Sequence, residues 1–204
     1  MDLFKAGRIS KVRIVHSRLL ALLVLFVLMV CGNRLGNGLG RQLVSFAGLG
    51  CVIIAAFGRT WSSLYISGRK TSTLVESGPY STTRNPLYLF SLIGTAGIGL
   101  ATGSLLILVL LTLSFGLYYP SVIRAEEENL RKIHGSAFEV YAGRVPRFFP
   151  KISLYQEPEV CEVNTRQLKK AILDASYFLW IYGALQLIQS LHDASILPTL
   201  LRLP

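Results

Sequence analysis

A cation beside an amide, Arg84-Asn85, and a pair of carboxylates, Glu126-Glu127, stand where polar segments of this chain meet long apolar ones. Arg84 and Asn85 belong to a stretch from Leu74 to Tyr88 that is rich in turn residues. Gly78-Pro79 forces a turn there, since Pro fixes its own φ and Gly tolerates unusual ones. Asn85-Pro86 can open a helix, Asn as N-cap and Pro in the first turn. Arg84 and Asn85 are then expected at a helix mouth, where free N–H groups favour anions. Glu126 and Glu127 lie within reach of a membrane end, where charge is costly unless paired; Arg84 and Arg124 are the available partners. Glu128 and Glu139 suit a wetted helix face.

The surrounding composition demands a membrane. Of 204 residues 51% are hydrophobic and 16% charged, against about 25% charged in a soluble domain. No acid lies between Asp2 and Glu76, or between Glu76 and Glu126. The expected architecture is all-α: a polytopic helix bundle in one membrane domain, with about five transmembrane helices. Spans are expected at 14–33, 42–58, 85–102 and 104–123. The pair 85–102 and 104–123 forms a hairpin with its turn at Ala101-Thr102-Gly103-Ser104, because the charge-free run from Leu87 to Ile123 is too long for one span. The run 171–191 contains Asp174, Gln186 and Gln189 and is either a fifth span, which is favoured, or an interfacial helix. Residues 59–86 form a polar loop, and 124–170 a second polar stretch.

Charge sets the orientation. Segments 1–18, 59–86 and 124–170 hold 5, 4 and 9 Lys or Arg, 18 of the chain's 21. Four spans before residue 124 place all three on one side, which the positive-inside pattern makes cytoplasmic. The net charge of +10 flanks apolar runs rather than forming basic–aromatic clusters, so nucleic acid is not an expected partner. Gly36-Asn37-Gly38-Leu39-Gly40 mimics a dinucleotide-binding turn, but no strand precedes it and no acid follows at the required distance; it reads as a hairpin loop. Cys31, Cys51 and Cys161 imply no disulfide framework. His134, beside Gly135, suits a helix end, and no His or Cys spacing suggests a metal site.

One ordered set ties these pieces together. Gly78-Pro79-Tyr80, Arg84-Asn85-Pro86-x-Tyr88, a glycine-rich hairpin, Glu126-Glu127-x-x-Leu130, Gly135, Tyr141 and Val145-Pro146-Arg147-x-x-Pro150 follow in sequence. Over roughly residues 40–150 the chain resembles the isoprenylcysteine carboxyl methyltransferase family and the related phospholipid methyltransferases. Asn85 stands where eukaryotic members have His, and Phe138 where Tyr is common. The resemblance implies an integral membrane enzyme that binds S-adenosylmethionine in a cytosolic pocket without a Rossmann domain. It implies a lipophilic acceptor reaching the site sideways from the bilayer. Carried onto this sequence, the cofactor would be held by Gly78, Pro79, Tyr80, Arg84, Asn85, Pro86, Tyr88, Glu127 and Tyr141. The catalytic candidates follow from what the chemistry needs: Glu127 to take a proton, and Arg84 or Arg124 to orient an acceptor carboxylate.

Methyl transfer from a sulfonium mainly needs positioning and a dry site. A carboxylate acceptor needs no general base at pH 7, whereas an amine or thiol would need Glu126 or Glu127 to take a proton. A prenylated cysteine, a lipid amine and a small thiol all remain open as acceptors. Two other readings stand beside this one: an NADPH-dependent membrane reductase of related architecture, which should carry more basic residues for the 2′-phosphate, and a non-catalytic membrane protein.

Overall fold

Long apolar segments become helices in a membrane because only helices and closed barrels satisfy every backbone group there. The computed structural model describes residues 31–33, 38–68, 73–197 and 201–203, and the protein is a helical membrane bundle. Helix α1 spans Leu39–Ile66, a short α2 Pro79–Thr82, α3 Pro86–Ala101, α4 Leu105–His134, α5 Ser136–Arg144 and α6 Thr165–Asp193. A 3-10 turn covers Ile152–Leu154. By length and composition α1, α4 and α6 can each cross a membrane. The apolar α3 has 16 residues, a rise of about 24 Å. The expected first span, 14–33, lies outside the described residues except for its last three. There Cys31–Asn33 (β1) pairs in parallel with Leu201–Leu203 (β2).

Two helices run further than the polar segments suggested. Helix α1 continues to Ile66, so the loop expected from residue 59 begins after the helix instead, with Gly68 at φ 86° just beyond its end. Helix α4 continues through Arg124 and the three glutamates to His134. Propagation adds one hydrogen bond per residue once a helix exists, and Ala, Glu, Leu, Arg and Lys are good helix formers. Leu39 and Gly40, placed in a hairpin loop by composition, already lie in the first turn of α1.

The chain divides into two compact units, through which α1, α3, α4 and α6 each pass. The described part of the first unit comprises 31–33, 38–53, 94–117, 178–197 and 201–203. Its core is Val52, Ile98, Ala101, Ile107, Leu111 and Leu185, with Phe178, Ile181 and Tyr182 against it. A Cβ on Gly48 would stand 2.7 Å from the Gly97 carbonyl oxygen and 2.9 Å from the Ala101 nitrogen. These glycines therefore let two helix backbones touch, as small residues do in membranes. The hairpin turn is closed by its own polar groups: Gly103 takes φ 67°, and Ser104 Oγ accepts from Ile107 N–H at 3.4 Å. The polar residues of α6 also have work here. Gln186 donates to Ser45 Oγ at 2.9 Å, and Gln189 to the carbonyls of Ala101 at 2.9 Å and Thr102 at 3.3 Å. The last two are carbonyls at the end of α3 that the helix itself leaves unpaired.

The second unit comprises 54–93 and 118–177. It contains both polar stretches that the sequence marks as chemically interesting. One core cluster in it is Phe138, Tyr141 and Val145, with Leu74, Leu130 and Ala142 packed on it.

Candidate functional site

Glu127 is the centre of the second unit. It lies on α4, where the helix has left its apolar run, and is only 3% exposed. A buried carboxylate must be paired and hydrogen-bonded. Arg84 Nε donates to Oε1 at 3.0 Å and Nη2 to Oε2 at 3.5 Å. Asn85 Nδ2 donates to Oε1 at 2.9 Å, and Arg147 Nε to Oε2 at 3.0 Å. Four donors thus occupy the roughly four lone-pair directions of a carboxylate.

Arg84 is equally committed. Its Nη1 donates to the carbonyls of Ala142 at 2.6 Å and Val145 at 3.1 Å, and its backbone N–H to Pro146 O at 2.9 Å. Asn85 opens α3 as expected, its carbonyl accepting from Tyr88 and Leu89. Its side chain, however, turns to Glu127 and to Arg147 O, the latter at 2.9 Å. The anion beside this helix start is the chain's own carboxylate. Pro86 stands at the first position of α3 and Tyr88 one turn in, buried, its ring 5.4 Å from that of Tyr119.

The Gly-Pro-Tyr segment is held against the same framework. Gly78 has φ 59°, and a Cβ there would lie 2.3 Å from the Tyr65 ring, so both conformation and space require glycine. Pro79 and Tyr80 begin the short α2, both buried. Tyr141 OH donates to Tyr80 O at 2.8 Å. Gly78 N–H donates to Gln156 O at 2.7 Å, and Gln156 N–H to Ser81 Oγ at 2.9 Å. Burial, with the phenol of Tyr141 and the carboxylate of Glu126 nearby, raises the Tyr80 phenol well above its ordinary range. Burial likewise raises Tyr141.

The structure therefore joins Gly78, Pro79, Tyr80, Arg84, Asn85, Glu127 and Tyr141 through direct bonds or adjacent turns. It does not bring Arg124 to them: Arg124 is exposed, and the second guanidinium on Glu127 is that of Arg147. The offset around α4 accounts for this. Three residues leave Arg124 about 60° from Glu127 around the helix, and Arg124 is exposed where Glu127 is buried. The signal for Arg147 was present in Val145-Pro146-Arg147-x-x-Pro150, where two prolines bracket a cation in an extended strap. Thr83 was missed too; its Oγ1 donates to Phe148 O at 3.0 Å. Glu128 and Glu139 are exposed, paired with Lys132 at 3.8 Å and Arg131 at 2.5 Å. Among the described residues no three of His, Cys, Asp and Glu come together as a metal site.

Comparison with known proteins places this framework. Residues 44–137 match the phospholipid methyltransferase family. The chain is 41% identical over 162 residues to the cobalt-zinc-cadmium resistance protein CzcN of Cupriavidus metallidurans, covering 79% of this chain and 74% of that protein. It is 38% identical over 153 residues to the nickel-cobalt-cadmium resistance protein NccN of Alcaligenes xylosoxydans, covering 75% and 71%. No solved structure matches. Arg84, Asn85 and Glu127 fall inside the family match; Tyr141 and Arg147 fall beyond it.

Proposed function

This chain belongs to the phospholipid methyltransferase family, and on that premise we propose that it is an integral membrane methyltransferase using S-adenosylmethionine on the cytoplasmic side. The observation that carries the reading is the Glu127 clamp, which closes Arg84-Asn85 and the Val145–Arg147 strap around one carboxylate. The donor set fits this cofactor. Two guanidiniums on one carboxylate leave one net positive charge, and the Arg147 side chain is 52% exposed, so its outer edge can meet the cofactor's carboxylate. The same set is short of cations for the several phosphates of NADPH. When bound, S-adenosylmethionine supplies an electrophilic methyl group on a sulfonium.

The chain's own residues position and exclude water. Arg84, with four of its five side-chain N–H groups taken, and Glu127, with all its lone-pair directions taken, act as positioning residues: they hold the 78–88 loop in shape. Gly78, Pro79, Tyr80, Asn85, Pro86 and Tyr88 form the loop and helix start that would embrace the cofactor, and Tyr141 pins the Tyr80 carbonyl. Arg124 is left out of this assignment. A carboxylate acceptor needs no base. For an amine or thiol, Glu126 is the remaining carboxylate, because Glu127 has no lone-pair direction to spare. The acceptor is a lipophilic molecule reaching the site from the bilayer. The names of the two relatives support a second reading, of physiological role: the methylation serves resistance to heavy-metal ions.

Calorimetry of the detergent-purified protein tests the first reading. Saturable heat with S-adenosylhomocysteine and none with NADPH is expected. The reverse result assigns a reductase, and silence toward both in folded protein assigns a non-catalytic role. Arg84→Ala should weaken S-adenosylhomocysteine binding by loosening the loop. Unchanged affinity in a folded variant removes the loop from the site.

A further inference from the structure

The strap that carries Arg147 has a second side. Its inward groups hold the site: Pro146 O, Arg147 O and Phe148 O accept from Arg84, Asn85 and Thr83, and Lys151 N–H donates to Thr82 O at 2.9 Å. Its outward groups are large and apolar or cationic. Phe149 is 81% exposed and Ile152 80%, the highest values among the exposed large hydrophobics of the described residues. Lys151 lies exposed between them. From residue 144 to 152 the chain carries Arg144, Arg147 and Lys151 and no acid. The acids paired with its cations are Glu127, bound to Arg147, and Glu76, bound to Arg144 at 2.7 Å, and Glu157 lies beside Tyr155 at its far end.

A second observation sets the level of this surface. Just past the 3-10 turn, the ring of Tyr155 lies 6.0 Å from that of Trp61. Trp61 is 37% exposed near the end of α1, a helix able to cross a membrane. Exposed Trp and Tyr at such a place mark the boundary between headgroups and acyl chains. The strap therefore runs out from a side chain at the expected interface.

We propose that residues 147–155 dock on an anionic lipid surface, with Phe149 and Ile152 inserted at the headgroup–acyl boundary and Lys151 on lipid phosphates. Apolar insertion beside cations is how interfacial segments bind, and each cation near an anionic surface strengthens binding about fivefold. Docked in this way, the strap holds the Glu127 clamp at the bilayer surface.

Site-directed nitroxide labelling of the full chain in nanodiscs tests this without any assumption about catalysis. The label goes on Phe149→Cys, with Cys31, Cys51 and Cys161 replaced by Ser, and on Glu159→Cys as an exposed reference. In nanodiscs containing phosphatidylglycerol the label at 149 should be shielded from a water-soluble relaxation agent and open to oxygen, while that at 159 stays open to water. In pure phosphatidylcholine the inserted fraction at 149 should fall. Lys151→Gln should shift the inserted-to-exposed ratio about fivefold toward exposed. Water exposure at 149 in both lipids, or equal insertion in both, overturns the proposal. Binding of S-adenosylhomocysteine is not read in this experiment, so its outcome is independent of the methyltransferase assignment.

Discussion

In the first unit, helix meets helix through missing side chains: Gly48 and Gly97 bring backbones together, and the polar bonds around them are neutral, Gln189 to two carbonyls and Gln186 to Ser45. In the second unit, segments meet through charge: two guanidiniums and an amide converge on one carboxylate beside the core of Phe138, Tyr141 and Val145. Neutral packing has shallow, distributed energetics, because removing any one contact leaves its neighbours. A charge clamp is concentrated, because removing one partner leaves another charge buried alone. The difference separates a scaffold from a region that can be organised around a charged ligand.

The largest effect is expected of Glu127→Ala. It leaves the Arg84 guanidinium largely buried without its counter-ion, at a cost of about 3–5 kcal/mol. Hydrogen exchange should accelerate in 78–88 and 141–151 while 45–53 and 178–189 keep their protection. Glu127→Gln, which keeps the shape and loses the charge, should fall between the two. Uniform loosening of both units would mean that the clamp is not local.

Gly48→Ala probes the other unit. Its new methyl meets backbone at Gly97 and Ala101, which cannot rotate away, and overpacking of this kind costs about 1–3 kcal/mol. Gly183→Ala, in the same unit with nothing within 4 Å of the added carbon, should stabilise by roughly 0.5–1 kcal/mol, since Ala suits a helix better. Opposite signs in thermal melts are expected; equal effects would remove the packing role.

Tyr141→Phe removes the hydroxyl on Tyr80 O, a loss of about 1 kcal/mol. It also bears on pH. Burial raises the Tyr80 and Tyr141 phenols above their ordinary values. Their stabilisation is whole below about pH 10, where the unfolded phenol is still neutral. It is lost as pH climbs from there toward the raised native values. Alkaline melts should show a fall in stability beginning near pH 10 that is shallower in Tyr141→Phe. The smallest effect is expected of Gln189→Leu, about 0.6 kcal/mol, confined to the first unit.

Much of this was legible in residues alone. Charge-free length determined that the protein is a helical membrane bundle with a hairpin over 87–123. The ordered motifs determined its family. Glycine at 78 was demanded by its turn, and Arg84, Asn85 and Glu127 were marked as one polar group at a membrane edge. What sequence could not decide was partnership. Spacing offered Arg124, on the same helix, as a partner for Glu127 and gave no reason to choose Arg147, 20 residues on. Only the return of the strap after α5 selects Arg147, by carrying its carbonyl to Asn85 and its Nε to Glu127 at once. Likewise Gln186 and Gln189 looked like reasons to lay α6 in the interface, until the fold supplied Ser45 and the end of α3 as their partners. A side chain's type states what it needs, and that much is written locally. Which group meets the need depends on chain brought from 20 to more than 100 residues away, and only tertiary packing sets that distance.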